Sequence, residues 1–132
     1  MARTHIITKT CNDGSETIGK PVTITADGGD EREIELAANA TNILIAWITD
    51  VSQLKSFFMV ADGACSVFQN APSTGSPAKT IVLAANQPFD WNNLEGAANP
   101  FGSTDTTALY ATNPSSTVPV VLKIKQLVDA TV

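Results

Sequence analysis

The chain has 132 residues, of which 43% are hydrophobic and 16% charged, with a formal net charge of −5. This length suits a single domain whose core closes without disulfide or metal staples. The eight basic residues are scattered, so there is no basic face for nucleic acid, and no window reaches the ~18 apolar residues of a membrane-spanning helix.

Residues 1–20 read as an arm that contains a first strand near 4–10. Ile6 and Ile7 stand there between Arg3 and Lys9. The arm has no apolar stretch of secretory length, so synthesis in a cytoplasm is expected. His5 is the only histidine, and its sequence neighbours include no cysteine or carboxylate. A catalytic triad or a His-ligated metal needs such partners, so His5 reads as an exposed or strand-edge residue.

From residue 21 onward the dominant period is two, the mark of half-buried strands. Val22, Ile24 and Ala26 alternate with threonines, and Ile34 and Leu36 alternate with Glu33 and Glu35. The acidic stretch from Asp27 to Glu33 surrounds two glycines and could suggest calcium. The alternation makes its glutamates the wet face of a strand instead. Residues 42–50 are apolar on both faces and are expected to form a central strand covered on both sides. Residues 51–55 allow a short helical turn.

Runs near 55–60 and 64–69 flank Asp62-Gly63, which predicts a hairpin there. Asp13-Gly14 and Asp27-Gly28 punctuate the first third in the same way. Phe57 and Phe58 are adjacent and must point to opposite faces. Cys65 alternates with Val67 and reads as a buried thiol. A disulfide to Cys11 would require an oxidising compartment. Residues 70–77 form a turn cluster, and a strand follows near 79–84.

Residues 86–105 are expected to form a long loop holding Phe89, Trp91, Leu94 and Phe101. Strands near 107–112 and 117–128 close the set. In the last, Val118, Val120, Leu122 and Ile124 share one face, with Lys123 and Lys125 on the other.

About eight short strands of this kind predict an all-β, jelly-roll-like β-sandwich over residues 21–132. Ile24, Ile34, Leu36, Ile45, Trp47, Phe58, Val67, Ile81, Leu83, Leu109, Val120, Leu122 and Ile124 are its expected core. No Gly-x-Ser-x-Gly elbow, phosphate loop or dinucleotide fingerprint occurs. A non-enzymatic protein without cofactor or metal is therefore expected. Paired carboxylates for glycoside cleavage cannot be located in such a pattern.

Candidate interface residues are Arg3, Ile6, Ile7 and Lys9 on the arm, with Phe89, Trp91, Leu94 and Phe101 on the long loop. Exposed, these apolar side chains would face a partner. The alternative is that arm and loop fold back and close the ends of the sandwich.

Three segments carry a resemblance. They are Ile48-Thr-Asp-Val-Ser-Gln-Leu-Lys-Ser-Phe57, then Pro77-Ala-Lys-Thr-Ile-Val-Leu-Ala-Ala-Asn-Gln-Pro-Phe-Asp-Trp91, then Thr107-Ala-Leu-Tyr-Ala-Thr-Asn113 with the closing Leu127-Val-Asp-Ala130. In this order they resemble capsid cement or decoration proteins of tailed bacteriophages, over residues 22–130. The resemblance implies a virion protein on the outer surface of the head, made in the bacterial host cytoplasm. Its implied partners are the major capsid protein and copies of itself, as a dimer or trimer. The other reading is a carbohydrate-binding β-sandwich module, free or from a phage fibre, with Trp91 and Tyr110 as stacking platforms.

Overall fold

The computed structural model describes residues 3–9, 11–12, 14–19, 21–26 and 28–129. Four strands lie in the first quarter: β1 (Arg3–Thr8), β2 (Cys11–Asn12), β3 (Thr17–Ile18) and β4 (Pro21–Ala26). Eight more follow: β5 (Gly28–Leu36), β6 (Ile43–Ile45), β7 (Leu54–Ala61), β8 (Cys65–Gln69), β9 (Lys79–Leu83), β10 (Phe89–Asn92), β11 (Leu109–Thr112) and β12 (Val120–Val128).

The last eight strands form two four-stranded antiparallel sheets. The first has the order β5-β12-β7-β10 and the second β6-β11-β8-β9. Each strand of the first half pairs with its mirror in the second half: β5 with β12, β6 with β11, β7 with β10 and β8 with β9. The chain is thus one long antiparallel ribbon whose rungs fall alternately into the two sheets. That winding is the jelly roll, and the fold is the all-β sandwich expected from the period-two pattern.

Alternation builds the core. Val120, Leu122 and Ile124 of β12 are buried, whereas Lys123 and Lys125, on the alternate positions, are exposed. Phe57, Met59 and Ala61 of β7 meet them from the neighbouring strand, and Ile45, Val67, Ile81, Leu83, Leu109 and Ala111 arrive from the opposite sheet. Trp47, Phe57, Phe89 and Phe101 form an edge-to-face aromatic cluster, with Phe57 and Phe101 ring centres 5.0 Å apart.

A ladder of polar side chains closes one end of this core. The Trp47 indole N–H donates to Thr49 Oγ1 at 2.9 Å, and the Thr49 hydroxyl donates to Gln126 Oε1 at 2.6 Å. Gln126 Nε2 donates onward to the Ile48 carbonyl at 2.9 Å. Thr49 and Thr106 pair through both backbone groups, and the Thr106 hydroxyl accepts from Gln69 Nε2. Buried polar groups are thereby paired where regular sheet pairing stops.

The β1–β4 hairpin is a third layer on the outer face of the first sheet. Leu127 points out of the sandwich, yet it is fully buried, because Ile24 and Ala26 of β4 cover it. Beyond β1, Lys9 reaches Asp90 on β10, on the far edge of the same sheet.

Several expectations are corrected. Residues 42–50 are not a central strand. Only Ile43–Ile45 form a strand, at the edge of the second sheet, with Thr49 making an isolated bridge to Thr106, and Ile43, Leu44 and Ile48 are 41%, 61% and 72% exposed. A continuous apolar run does not distinguish a covered strand from an edge strand that crosses between sheets. Asp62-Gly63 is not a hairpin turn, since β7 and β8 belong to opposite sheets. Gly63 is required there by close approach: a Cβ would stand 2.9 Å from Val120 Cγ2.

Asp27-Gly28 likewise joins strands that do not pair, and Asp27 itself lies outside the described residues, as does Asp13. Residues 86–105 are not wholly loop, because they contain β10. Phe57, not Phe58, is the inward member of its pair, and Ile34 is only partly buried. Residues 51–53 form a turn.

Candidate interaction surfaces

The long loop turns its aromatic side chains inward. Phe101 is 4% exposed, and Phe89 and Trp91 pack against the core. The Trp91 indole N–H is taken up by the Ala97 carbonyl at 2.8 Å. These three rings pin the segment onto the sandwich, which is the fold-back arrangement, with Phe101 buried and Phe89 and Trp91 partly buried. Leu94 remains outside at 63% exposure.

On the arm, Ile7 is buried under the third layer, whereas Ile6 is 66% exposed and Arg3 is also exposed. Lys9 is engaged within the chain. Its ammonium stands 2.7 Å from Asp90 Oδ2 and 2.8 Å from Glu95 Oε2. Those two carboxylates raise its pKa above the usual lysine value. The eight candidate residues therefore do not form one patch: Ile6 and Leu94 are the apolar members left in solvent.

His5 is partly buried on β1, and its pKa is lowered by desolvation and by the nearby Lys125. Cys65 is a buried free thiol whose pKa is pushed up to about 11 by burial. A thiol held protonated is a poor nucleophile. The Cys11 side chain lies outside the described residues, so its pairing is not addressed. Among the described residues no group of three or more His, Cys, Asp or Glu side chains converges as metal ligands.

The two outer faces differ in character. On the first sheet, Glu33 pairs with Lys123 at 3.4 Å and Glu31 with Lys125 at 3.7 Å, all four side chains well exposed. On the second sheet, cross-strand register sets Leu44, Tyr110, Phe68 and Thr80 in one row. Thr112, Ser66 and Val82 form the next. Leu44 and Val82 are 61% and 77% exposed, and Tyr110 and Phe68 are half-buried. Neither row holds a charged side chain, although the chain carries −5 overall.

The residues of this face are far apart in sequence and none forms a motif. Only the pairing of β6, β11, β8 and β9 brings them together, which is why sequence reasoning passed over all but Tyr110.

No family model matches the chain, and no curated protein matches it. Among solved structures, it is similar to a de novo designed double-stranded β-helix determined by solution NMR. That likeness has 14% identity and a TM-score of 0.33, covering 94% of this chain and 97% of the other.

Proposed function

We propose that the protein is a non-enzymatic virion structural protein of the capsid cement or decoration kind, which binds the outer surface of a phage head lattice through its second sheet. The observation that carries this reading is the uncharged outer face of β6-β11-β8-β9, with Leu44 and Val82 projecting from it. Exposed apolar groups on a flat neutral surface mark a contact made with another protein. A net charge of −5 also makes copies of the chain repel one another, so that a neutral face is where contact costs least.

The order of the three segments that resemble cement proteins supports the same assignment. On a lattice, many copies bind side by side, so each contact is sufficient at modest area. The major capsid protein is the partner on this reading, with copies of the protein itself as neighbours.

One observation favours a carbohydrate module instead: Tyr110 sits beside Phe68 on that same face, where a sugar ring could stack. Trp91 does not contribute, since its ring packs on the core.

The discriminating experiment adds purified protein to phage heads that lack it and pellets them, beside a glycan array probed with the same protein. The expected result is saturable pelleting and no glycan signal. A Leu44→Glu, Val82→Glu double variant should remain in the supernatant with an unchanged melting temperature. Wild-type protein that does not pellet, or that binds a glycan through Tyr110, overturns the proposal.

A further inference from the structure

The third layer is only half built. The hairpin covers the outer face of the first sheet at the Leu127 end, with β4 lying over Leu127. Toward the other end of β12 and β7 the same face is open. A groove of about 450 Å³ lies there, walled along one side by residues 4–8 of β1 and floored by Phe58, Val60, Lys123 and Lys125. Consecutive residues of one strand line the wall, so β1 presents its backbone edge to the groove. Among the described residues β1 pairs with β4 alone, so that edge has no partner strand.

We infer that this groove is a docking site for an extended acidic segment of another protein, which adds to the free edge of β1 as the third strand of the outer layer. A strand beside β1 lies ~4.8 Å away in the hydrogen-bonding direction, over the uncovered floor. Backbone pairing supplies affinity in this mode, and alternate side chains supply selectivity.

The floor defines those side chains. Lys123 and Lys125 stand on β12, and their ammoniums keep only loose contacts of 3.4 and 3.7 Å to Glu33 and Glu31 on β5. Exposed pairs of this kind contribute ~0–1 kcal/mol, so each ammonium is free to share a second carboxylate. No carboxylate lines the groove, in a chain of net charge −5.

His5 locates β1 over the sheet, because its charged neighbours are Lys125, Glu31 and Arg3. Two residues on, Ile7 continues toward β7 and β10, in the direction in which Lys9 reaches Asp90. A docked strand therefore sets a carboxylate beside His5, over the lysines. It sets an apolar side chain two residues away, beside Ile7 and over Phe58 and Val60. This inference is independent of what the second sheet binds.

The test uses the full chain and a fluorescein-labelled peptide, Thr-Val-Thr-Glu-Thr-Val-Thr, whose pattern reads the same in both directions. A second peptide carries Lys in place of Glu. Anisotropy measures binding at up to millimolar protein, and amide hydrogen exchange locates it. The expected result is binding of the Glu peptide alone, with new protection at residues 4–8. A Lys123→Gln, Lys125→Gln variant with an unchanged melting temperature should weaken it by several-fold, up to roughly tenfold. Absence of binding, equal binding of both peptides, or protection that falls on β6 or β9 instead of β1 overturns the inference.

Discussion

Thr49 offers the sharpest test of how the open end of the sandwich is held. Its hydroxyl accepts from the Trp47 indole at 2.9 Å and donates to Gln126 Oε1 at 2.6 Å, and the residue is 0% exposed. Thr49→Val keeps the shape and removes the oxygen. The Trp47 N–H and the Gln126 carbonyl oxygen are then stranded in the interior. Each stranded buried group costs ~1–3 kcal/mol, so the pair predicts a loss of ~2–6 kcal/mol. Thr49→Ser keeps the oxygen and removes one methyl group, a change comparable to Ile→Val at ~0.5–1.5 kcal/mol. Urea unfolding of the three proteins measures both. With m unchanged, the Val variant should lose on the order of 1 M in midpoint and the Ser variant clearly less. If Thr49→Val lies within about half a kcal/mol of wild type, or if Thr49→Ser is the worse of the two, the ladder does not hold this end.

Phe57→Ala should cost ~3–5 kcal/mol in the same assay, because Phe57 is 1% exposed at the centre of the aromatic cluster, whereas Phe58→Ala on the groove side should cost clearly less. Gly63→Ala should destabilise by ~1–3 kcal/mol, because the new Cβ meets Val120 Cγ2 at 2.9 Å where the chain passes between sheets; a neutral effect would show that this turn gives way. In a Cys11→Ser chain, Cys65 should react with a thiol reagent only upon unfolding, and fast native-state labelling would contradict its burial. The folded protein holds the Cys65 proton up to about 11, while the unfolded thiol releases it near its ordinary 9.0. The unfolded state then binds fewer protons in that window, so stability falls as pH rises through it. A Cys65→Ala chain should show a shallower decline between about pH 9 and pH 11.

The faces of the strands were legible because charge marks the wet side. Lys123 and Lys125 on β12 and Glu33 and Glu35 on β5 tell which residues point inward, and the structure agrees at Val120, Leu122, Ile124 and Leu36. Strand partners were not legible. A period of two assigns a side chain to a face and says nothing about which strand lies beside it. Asp62-Gly63 therefore resembled a hairpin although it joins opposite sheets, and Phe89-Asp-Trp-Asn92, lacking clean alternation, hid a strand inside an expected loop. Phe57 and Phe58 could be assigned to opposite faces but not to the inner and outer one.

The candidate surfaces depend on pairing still more strongly. Leu44, Phe68, Tyr110 and Val82 are single apolar residues until the register of β6, β11, β8 and β9 sets them side by side. Lys9 appeared free in sequence, and its two carboxylates come from residues more than eighty positions away. The groove beside β1 exists only because the hairpin stops halfway across the outer face of the first sheet.

The proposed role is tested most directly by quantitative mass spectrometry of purified, filled phage heads assembled in cells that express the protein. A decoration protein is found there in a fixed copy number relative to the major capsid protein, and is lost as a set when heads are prepared without it. Recovery only in the soluble fraction of the infected cell, with none on particles, would contradict it.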